Sequence, residues 1–360
     1  MLLKITALPG DGIGPEVTTE ALKVLNATAK IFGHEVQVTT KPVGGAGLTA
    51  ANHPLPDETL QACLASDAVL LGAVGGPAFD HHPIELRPEK GLLKLRQALG
   101  CFANLRPAVL FPSLLDASPL RAEAVQGTDM MIVRELLGGL YFGEPRTTFG
   151  TAPNREAVDT MRYAEASIER IARVAFDLAR RRRKQILSVD KANVLACSRL
   201  WREVVTRVAQ DYPDVALAHN YVDSCAMILV ARPAQYDVIL TENMFGDILS
   251  DLAGGVVGSL GLLASASIGG KIGLYEPVHG SAPDIAGKGI ANPLGAILSV
   301  AMMLRHSFQF EKEAGHIEAA VAEVLNRGLR TADLSRPGEE AVATQEMGQA
   351  ITEQITACGS

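Results

Sequence analysis

In TENMFGDILSDL, residues 241–252, Asp247 and Asp251 stand four apart behind a glycine, with no histidine or cysteine in the segment to share a transition metal. If residue 246 onward is helical, both carboxylates project from one face, one turn apart, near the positive end of the helix. Two hard oxygen donors in that geometry suit Mg²⁺ or Mn²⁺ and not zinc, although a solvated or capping acid pair is the commoner use of the spacing. A third acid, Asp223 in HNYVDSCAM, falls where a strand hands over to a helix, the usual end of an α/β sheet for ligands. SVDKANVL places Lys191 at a similar strand end, where a lysine near cations or in a dry site can act as a base. RELLGGLYFGEPR sets Arg134 and Tyr141 among glycines, and LLKLRQALGCFANLRPA adds Arg96 and Arg106. Three arginines suit a substrate with two carboxylates, because each guanidinium can pair bidentately. Taken singly, each arginine also fits a surface or structural ion pair, and Tyr141 fits a half-buried core aromatic.

The elements that must hold these groups follow a βαβ rhythm. Apolar runs of strand length (LKITAL, DAVLLGAV, QILSV, YDVIL) alternate with amphipathic stretches over 15–30, 89–99, 196–210 and 246–254, which predicts a largely parallel sheet. Gly10, Gly12 and Gly14 before Pro15 predict a strand-to-helix turn with proline at the first helical position. The spacing is GxGxG, not the GxGxxG of a dinucleotide fold, and no GxxxxGK[ST] phosphate loop occurs, so any nucleotide must be held by other means. RRRRK at 180–184 closes a helix that begins near Ala164, and reads as a solvated helix end, where positive charge is favourable. His81 and His82 lie in a Pro-rich loop without further ligand-type neighbours, which reads as surface.

Composition narrows the classes. The chain has 360 residues, is 48% hydrophobic and carries a net charge of −7, which suggests two domains or one large α/β unit and is a poor match to nucleic acid or a bare anionic membrane. Five scattered cysteines without CxxC spacing argue against a disulfide framework or zinc site. The opening MLLKITALPGDG breaks into a turn too early for a signal-peptide core. Residues 252–270 carry no charge, but six glycines and three serines predict an interior helix in place of a membrane span. The expectation is a soluble cytoplasmic protein acting on a small molecule.

GDGIGPEV, PEKGLLKLR, NLRPA, VRELLGGLYFGEPR, SVDKANVL, NMFGDILSD and YEPVHGSAPDIAGKGIANP occur in this order between about residues 4 and 306. Together they resemble the β-decarboxylating hydroxyacid dehydrogenases, the family of isocitrate and isopropylmalate dehydrogenases. The resemblance implies NAD⁺-dependent oxidation of the 2-hydroxyl of (2R,3S)-3-isopropylmalate with loss of CO₂ to give 2-oxoisocaproate, a step of leucine biosynthesis. A tartrate/malate-type or other 3-alkylmalate activity of the same family is the alternative.

It also implies roles for residues. Asp247 and Asp251, with the partner subunit's Asp223, would hold Mg²⁺ or Mn²⁺. The partner subunit's Lys191 would be the base for the hydroxyl and Tyr141 the acid for the enol carbon. Arg96, Arg106 and Arg134 would clamp the carboxylates, with Asp223 also beside the substrate. Leu92 and Leu93 would face the isopropyl group, with Val194 from the partner and Glu89 at the rim near the nicotinamide. Isocitrate dehydrogenases have a serine in the segment that matches these leucines. His279, Gly280, Ser281, Ala282, Pro283, Asp284, Ile285 and Asn292 would wrap the adenosine, and the segment 76–89, with Gly76 and Glu89, would approach the nicotinamide. Asp284 can accept from both ribose hydroxyls and repels a 2′-phosphate, which favours NAD over NADP.

The implied α/β fold has two domains and a non-Rossmann cofactor site. Residues 1–101 and 258–360 form a discontinuous cofactor domain, and 102–257 a central domain with an intersubunit arm near 145–165. Two helices of the central domain would pair across a two-fold axis in a homodimer with shared active sites. Two features depart from the family pattern: Ala264 in LASASIG, where proline is usual, and the arm segment PRTTFGTAPNREAVDTMRY.

Overall fold

The structure is a computed structural model that describes residues 1–336 and 338–358. The strands are β1 (Leu2–Gly10), β2 (Glu35–Thr40), β3 (Ala68–Ala73), β4 (Ala103–Val109), β5 (Asp129–Glu135), β6 (Thr147–Phe149), β7 (Glu156–Val158), β8 (Gln185–Asp190), β9 (Ala216–Tyr221), β10 (Val238–Thr241), β11 (Ala264–Ile268) and β12 (Gly273–Pro277). The helices are α1 (Gly14–Ile31), α2 (Gly45–Ala51), α3 (Asp57–Leu64), α4 (Pro88–Leu99), α5 (Ala122–Val125), α6 (Glu165–Arg180), α7 (Ala196–Ala209), α8 (Val222–Ala231), α9 (Asn243–Val257), α10 (Leu294–Phe308), α11 (Glu311–Asn326) and α12 (Thr344–Cys358).

The chain divides into two compact units. The first comprises Met1–Cys101, Leu110–Pro119 and Val257–Ser360, of which residues 337, 359 and 360 lie outside the described set; the second comprises Phe102–Val109 and Leu120–Val256. The expected central domain ran unbroken from 102 to 257, whereas Leu110–Pro119 belongs with the first unit. Arg330 holds it there, donating to both Asp116 carboxylate oxygens at 3.1 and 3.0 Å and to the Ser113 carbonyl at 2.6 Å.

In the first unit the strand order is β2-β1-β3-β12-β11, parallel except for the antiparallel pair β11–β12. β3 and β12 are buried along their whole length, as strands covered on both faces must be. α1 packs against α10 and α12. In the second unit the order is β4-β5-β10-β8-β9, parallel except for β4–β5. The connections β8–α7, β9–α8 and β10–α9 are short, so these strand ends deliver side chains directly to helix starts.

Two sequence expectations are corrected. Residues 252–270 are not one helix: α9 stops at Val257, Gly258 has φ +110°, and the chain goes on into β11. The interior helix is α10, whose apolar residues are buried almost all round. Nor is RRRRK only a solvated end. Arg182 donates to Asp237 and Asp129, both at 2.8 Å, tying the end of α6 to the starts of β10 and β5. Asp237 is fully buried, so this pair is structural.

Cys63, Cys101, Cys197 and Cys225 are free thiols, and the side chain of Cys358 lies outside the described residues. No helix of the described residues is long and apolar enough to cross a membrane.

Candidate active site

In the second unit, strand register sets the first part of the site. β4 and β5 pair antiparallel with Asn104 opposite Arg134 and Arg106 opposite Ile132, so Asn104, Arg106 and Arg134 share one face of the sheet. Both guanidinium groups are buried, and each is held by neutral acceptors. Arg106 donates to Asn104 Oδ1 at 2.7 Å and Ser250 Oγ at 2.6 Å. Arg134 donates through Nε and Nη2 to Asn243 Oδ1 at 2.9 and 2.7 Å.

α9 starts at the end of β10, and Glu242 caps it by accepting the backbone N–H of Phe245 at 2.7 Å and of Met244 at 3.2 Å. One turn in, Gly246 lies on the aliphatic stem of Arg134, where a Cβ would come within 2.7 Å of Arg134 Cγ. That is why glycine precedes Asp247. Asp247 then receives Arg134 Nη1 at 2.5 Å, Arg106 Nη1 at 3.3 Å and the Tyr141 hydroxyl at 2.6 Å. Asp251, a turn further on, lies 3.7 Å from Arg106. The carboxylates of Asp247 and Asp251 remain 33% and 58% exposed, open to a ligand. Burial raises the Asp251 pKa and Asp247 adds to the rise, with Arg106 opposing. Burial, then the hydrogen bond to Asp247, pushes the Tyr141 phenol up to about 12.

The parallel pairing of β8 with β9 sets Asp190 beside Tyr221, so the residues just beyond each strand meet. Lys191 and Asp223 form an ion pair there, which lowers the Asp223 pKa. Beneath them, buried Asp190 holds Arg202 through two hydrogen bonds of 2.8 and 2.9 Å. Val194 is 63% exposed. No three His, Cys, Asp or Glu side chains cluster closely enough for a metal among the described residues, so one chain does not bring Asp223 to Asp247 and Asp251.

In the first unit, α4 buries Gly91, Leu95, Arg96 and Leu99 and leaves Leu92 and Leu93 half-exposed on another face. Arg96 donates to Glu276 Oε1 at 2.6 Å, while its Nε is buried without a partner among the described residues. The glycines of GDGIG have a specific cause. A Cβ on Gly12, at φ +58°, would lie 1.9 Å from the Ser281 carbonyl oxygen, so the turn docks against the HGSAPDI segment. Asp11 gathers three backbone N–H groups, of Gly45, Ala46 and Gly75, each at 2.8 Å. Glu89 Oε1 lies against Gly75, and Gly76 adopts φ +147°.

His279 Nδ1 is bonded to the Gly280 carbonyl at 2.9 Å, and its Nε2 is buried without a partner among the described residues. Burial lowers the His279 pKa. Ser281 is buried, Ala282 has φ +40°, and Asp284 is exposed. Pro283 is exposed and Ile285 half-exposed. The Asn292 amide donates to Asp333 at 3.0 Å and accepts Leu294 N–H at the same distance, so it shapes the entry to α10.

The chemistry of these donors fits the implied groups. A pair of partly exposed carboxylates one helical turn apart offers hard oxygen ligands for Mg²⁺ or Mn²⁺. A glycine-lined loop with an unsatisfied buried imidazole nitrogen and an exposed carboxylate offers contacts for an adenosine.

The isocitrate/isopropylmalate dehydrogenase family model matches residues 4–351. The chain belongs to that family. It is 54% identical over 352 residues to the 3-isopropylmalate dehydrogenase of Aquifex aeolicus, covering 98% of this chain and 97% of that protein. It is 57% identical over 355 residues to the 3-isopropylmalate dehydrogenase of Moorella thermoacetica, covering 98% and 99%. Among solved structures, an isocitrate dehydrogenase from Methylococcus capsulatus aligns with a TM-score of 0.87 at 39% identity, covering 98% of this chain and 99% of that one.

Asn104, Asn243, Ser250, Glu242 and Tyr163 are not singled out by the sequence, though Asn104 and Ser250 hold Arg106, Asn243 holds Arg134, and Tyr163 links Asn243 to Glu242. Their signal was periodicity: Asn243 is one helical turn before Asp247, and Asn104 is two strand positions from Arg106.

Proposed function

We propose that the chain catalyses the NAD⁺-dependent oxidative decarboxylation of (2R,3S)-3-isopropylmalate to 2-oxoisocaproate and CO₂, with Mg²⁺ or Mn²⁺. The observation that carries this reading is the convergence on Asp247 of two buried arginines and a tyrosine, in a chain 54–57% identical over nearly its whole length to 3-isopropylmalate dehydrogenases.

Arg106 and Arg134 present preorganised donors to the carboxylates of the malate part. Lys191 of the partner subunit takes the proton of the 2-hydroxyl, and Tyr141 returns a proton to the enol carbon after CO₂ leaves. Asp247, Asp251 and the partner subunit's Asp223 would hold the divalent ion, which when bound would supply charge stabilisation at the substrate oxygens, with NAD⁺ as the hydride acceptor. Leu92, Leu93 and Val194 of the partner subunit enclose the isopropyl group and exclude water from it.

Two features support a homodimer that shares its sites. α8 exposes Met227 and Val230 and α9 exposes Ile248, an apolar surface that a second copy would cover. The hairpin β6–β7 is exposed along both strands and carries Phe149 and Val158 outward. A reaction mixture analysed for products tests the activity: NADH, CO₂ and 2-oxoisocaproate should form in equal amounts, and a chelator should stop all three. NADH without CO₂ would contradict the proposal.

A further inference from the structure

We infer that Asn243 is a positioning residue for this reaction, one buried amide that fixes the Arg134 guanidinium with its oxygen and the turn carrying Tyr141 with its nitrogen. The inference rests on the clamp and acid roles proposed above for Arg134 and Tyr141. Asn243 is fully buried. Its Oδ1 receives Arg134 Nε at 2.9 Å and Nη2 at 2.7 Å. Its Nδ2 donates to the Gly138 carbonyl at 3.0 Å and the Leu136 carbonyl at 3.2 Å. The two acceptor and two donor positions of a primary amide are thus all in use, which fixes which end faces the guanidinium. Gly139–Tyr141 is a short 3-10 turn that follows Gly138 directly. A single side chain therefore spans the arginine and the turn.

The amide is itself held. Asn243 N–H donates to the Tyr163 hydroxyl at 3.0 Å, and that hydroxyl donates to Glu242 Oε2 at 3.0 Å. The Tyr163 ring also walls the turn, since a Cβ on Gly138 would lie 2.6 Å from its Cε1. With Nε and Nη2 taken by Asn243, Arg134 has its third edge, Nη1, aimed at Asp247. An aspartate at 243 could accept from Arg134 but would turn an acceptor toward two carbonyl oxygens, freeing the turn. Loss of such preorganisation is costly, because a misplacement of about 1 Å at a reacting group can lower a rate about 100-fold.

The test compares wild type with Asn243→Asp and Asn243→Ala, using saturating NAD⁺ and Mg²⁺ and measuring kcat and KM separately for isopropylmalate and for malate, with thermal melting as a control. Both variants should lose about 100-fold in kcat/KM, by the same factor on both substrates, because Arg134 holds the part they share. A purely structural role would lower the melting temperature and leave kcat/KM of the folded protein unchanged, and that result overturns the inference. Should neither variant fold, Tyr163→Phe removes only the hydroxyl that accepts Asn243 N–H. It should lower kcat/KM about 10-fold, and unchanged kinetics in that variant would equally overturn the inference. Wild type inactive on every malate would sink the site reading as well; active wild type with unimpaired variants sinks this inference alone.

Discussion

The Tyr141 hydroxyl donates to Asp247 Oδ2 at 2.6 Å, joining the proposed acid to a proposed metal ligand within one chain. With burial and that carboxylate holding the phenol at about 12, Tyr141 stays protonated through the neutral range. Tyr141→Phe should lower kcat roughly 100-fold while sparing the NAD⁺ KM. In the metal-free chain, an ultraviolet difference titration of wild type against Tyr141→Phe should show no ionisation of this phenol below about pH 10, two units under the phenol value. A phenolate signal at lower pH that is missing in Tyr141→Phe would refute the assignment.

Cofactor choice should reside in Asp284, which is exposed in the segment proposed for the adenosine. We expect kcat/KM to favour NAD⁺ over NADP⁺ and Asp284→Ala to narrow the preference, since a carboxylate repels the 2′-phosphate. Equal values for the two cofactors in wild type would remove that role.

Leu92 and Leu93 lie half-exposed on α4 beside a buried Leu95. Leu92→Ala should cost isopropylmalate roughly 1–3 kcal/mol of transition-state binding and malate less, because malate lacks the branch. Parallel losses on both substrates would make the leucine scaffold only.

Much of this was legible before any coordinates. The strands LKITAL, DAVLLGAV, QILSV and YDVIL are β1, β3, β8 and β10, and the helix over 246–254 lies within α9. They were readable because burial and amphipathic period are local properties of a chain. Direction of pairing is not local: the antiparallel pairs β4–β5 and β11–β12 left no mark in the apolar pattern. The GDGIG turn was visible in its glycines, but the reason for Gly12 is the Ser281 carbonyl, far along the chain. Likewise, RRRRK carried no sign that Arg182 would reach Asp129 and Asp237. The acids and arginines of the site are legible by type and spacing, whereas nothing in the type or spacing of Asn243 marks it.

In one chain Lys191 pairs with Asp223, and no three acids cluster closely enough for a metal among the described residues. Sharing between subunits follows from the proposal. When the inactive variants Lys191→Ala and Asp251→Asn are unfolded and refolded together, each mixed dimer should hold one intact site, and about a quarter of wild-type activity should return under two-fold pairing. Mixed dimers confirmed by native mass spectrometry without regained activity would rule out the shared site.

The most direct measurement is NADH formation, followed by its near-ultraviolet absorbance with NAD⁺ and Mg²⁺, on isopropylmalate, isocitrate, malate and tartrate in parallel. The account predicts the highest kcat/KM on isopropylmalate, with isocitrate far lower because Leu92 and Leu93 offer its third carboxylate no partner. Isocitrate or tartrate as the best substrate, or no NADH from any of the four, would contradict it.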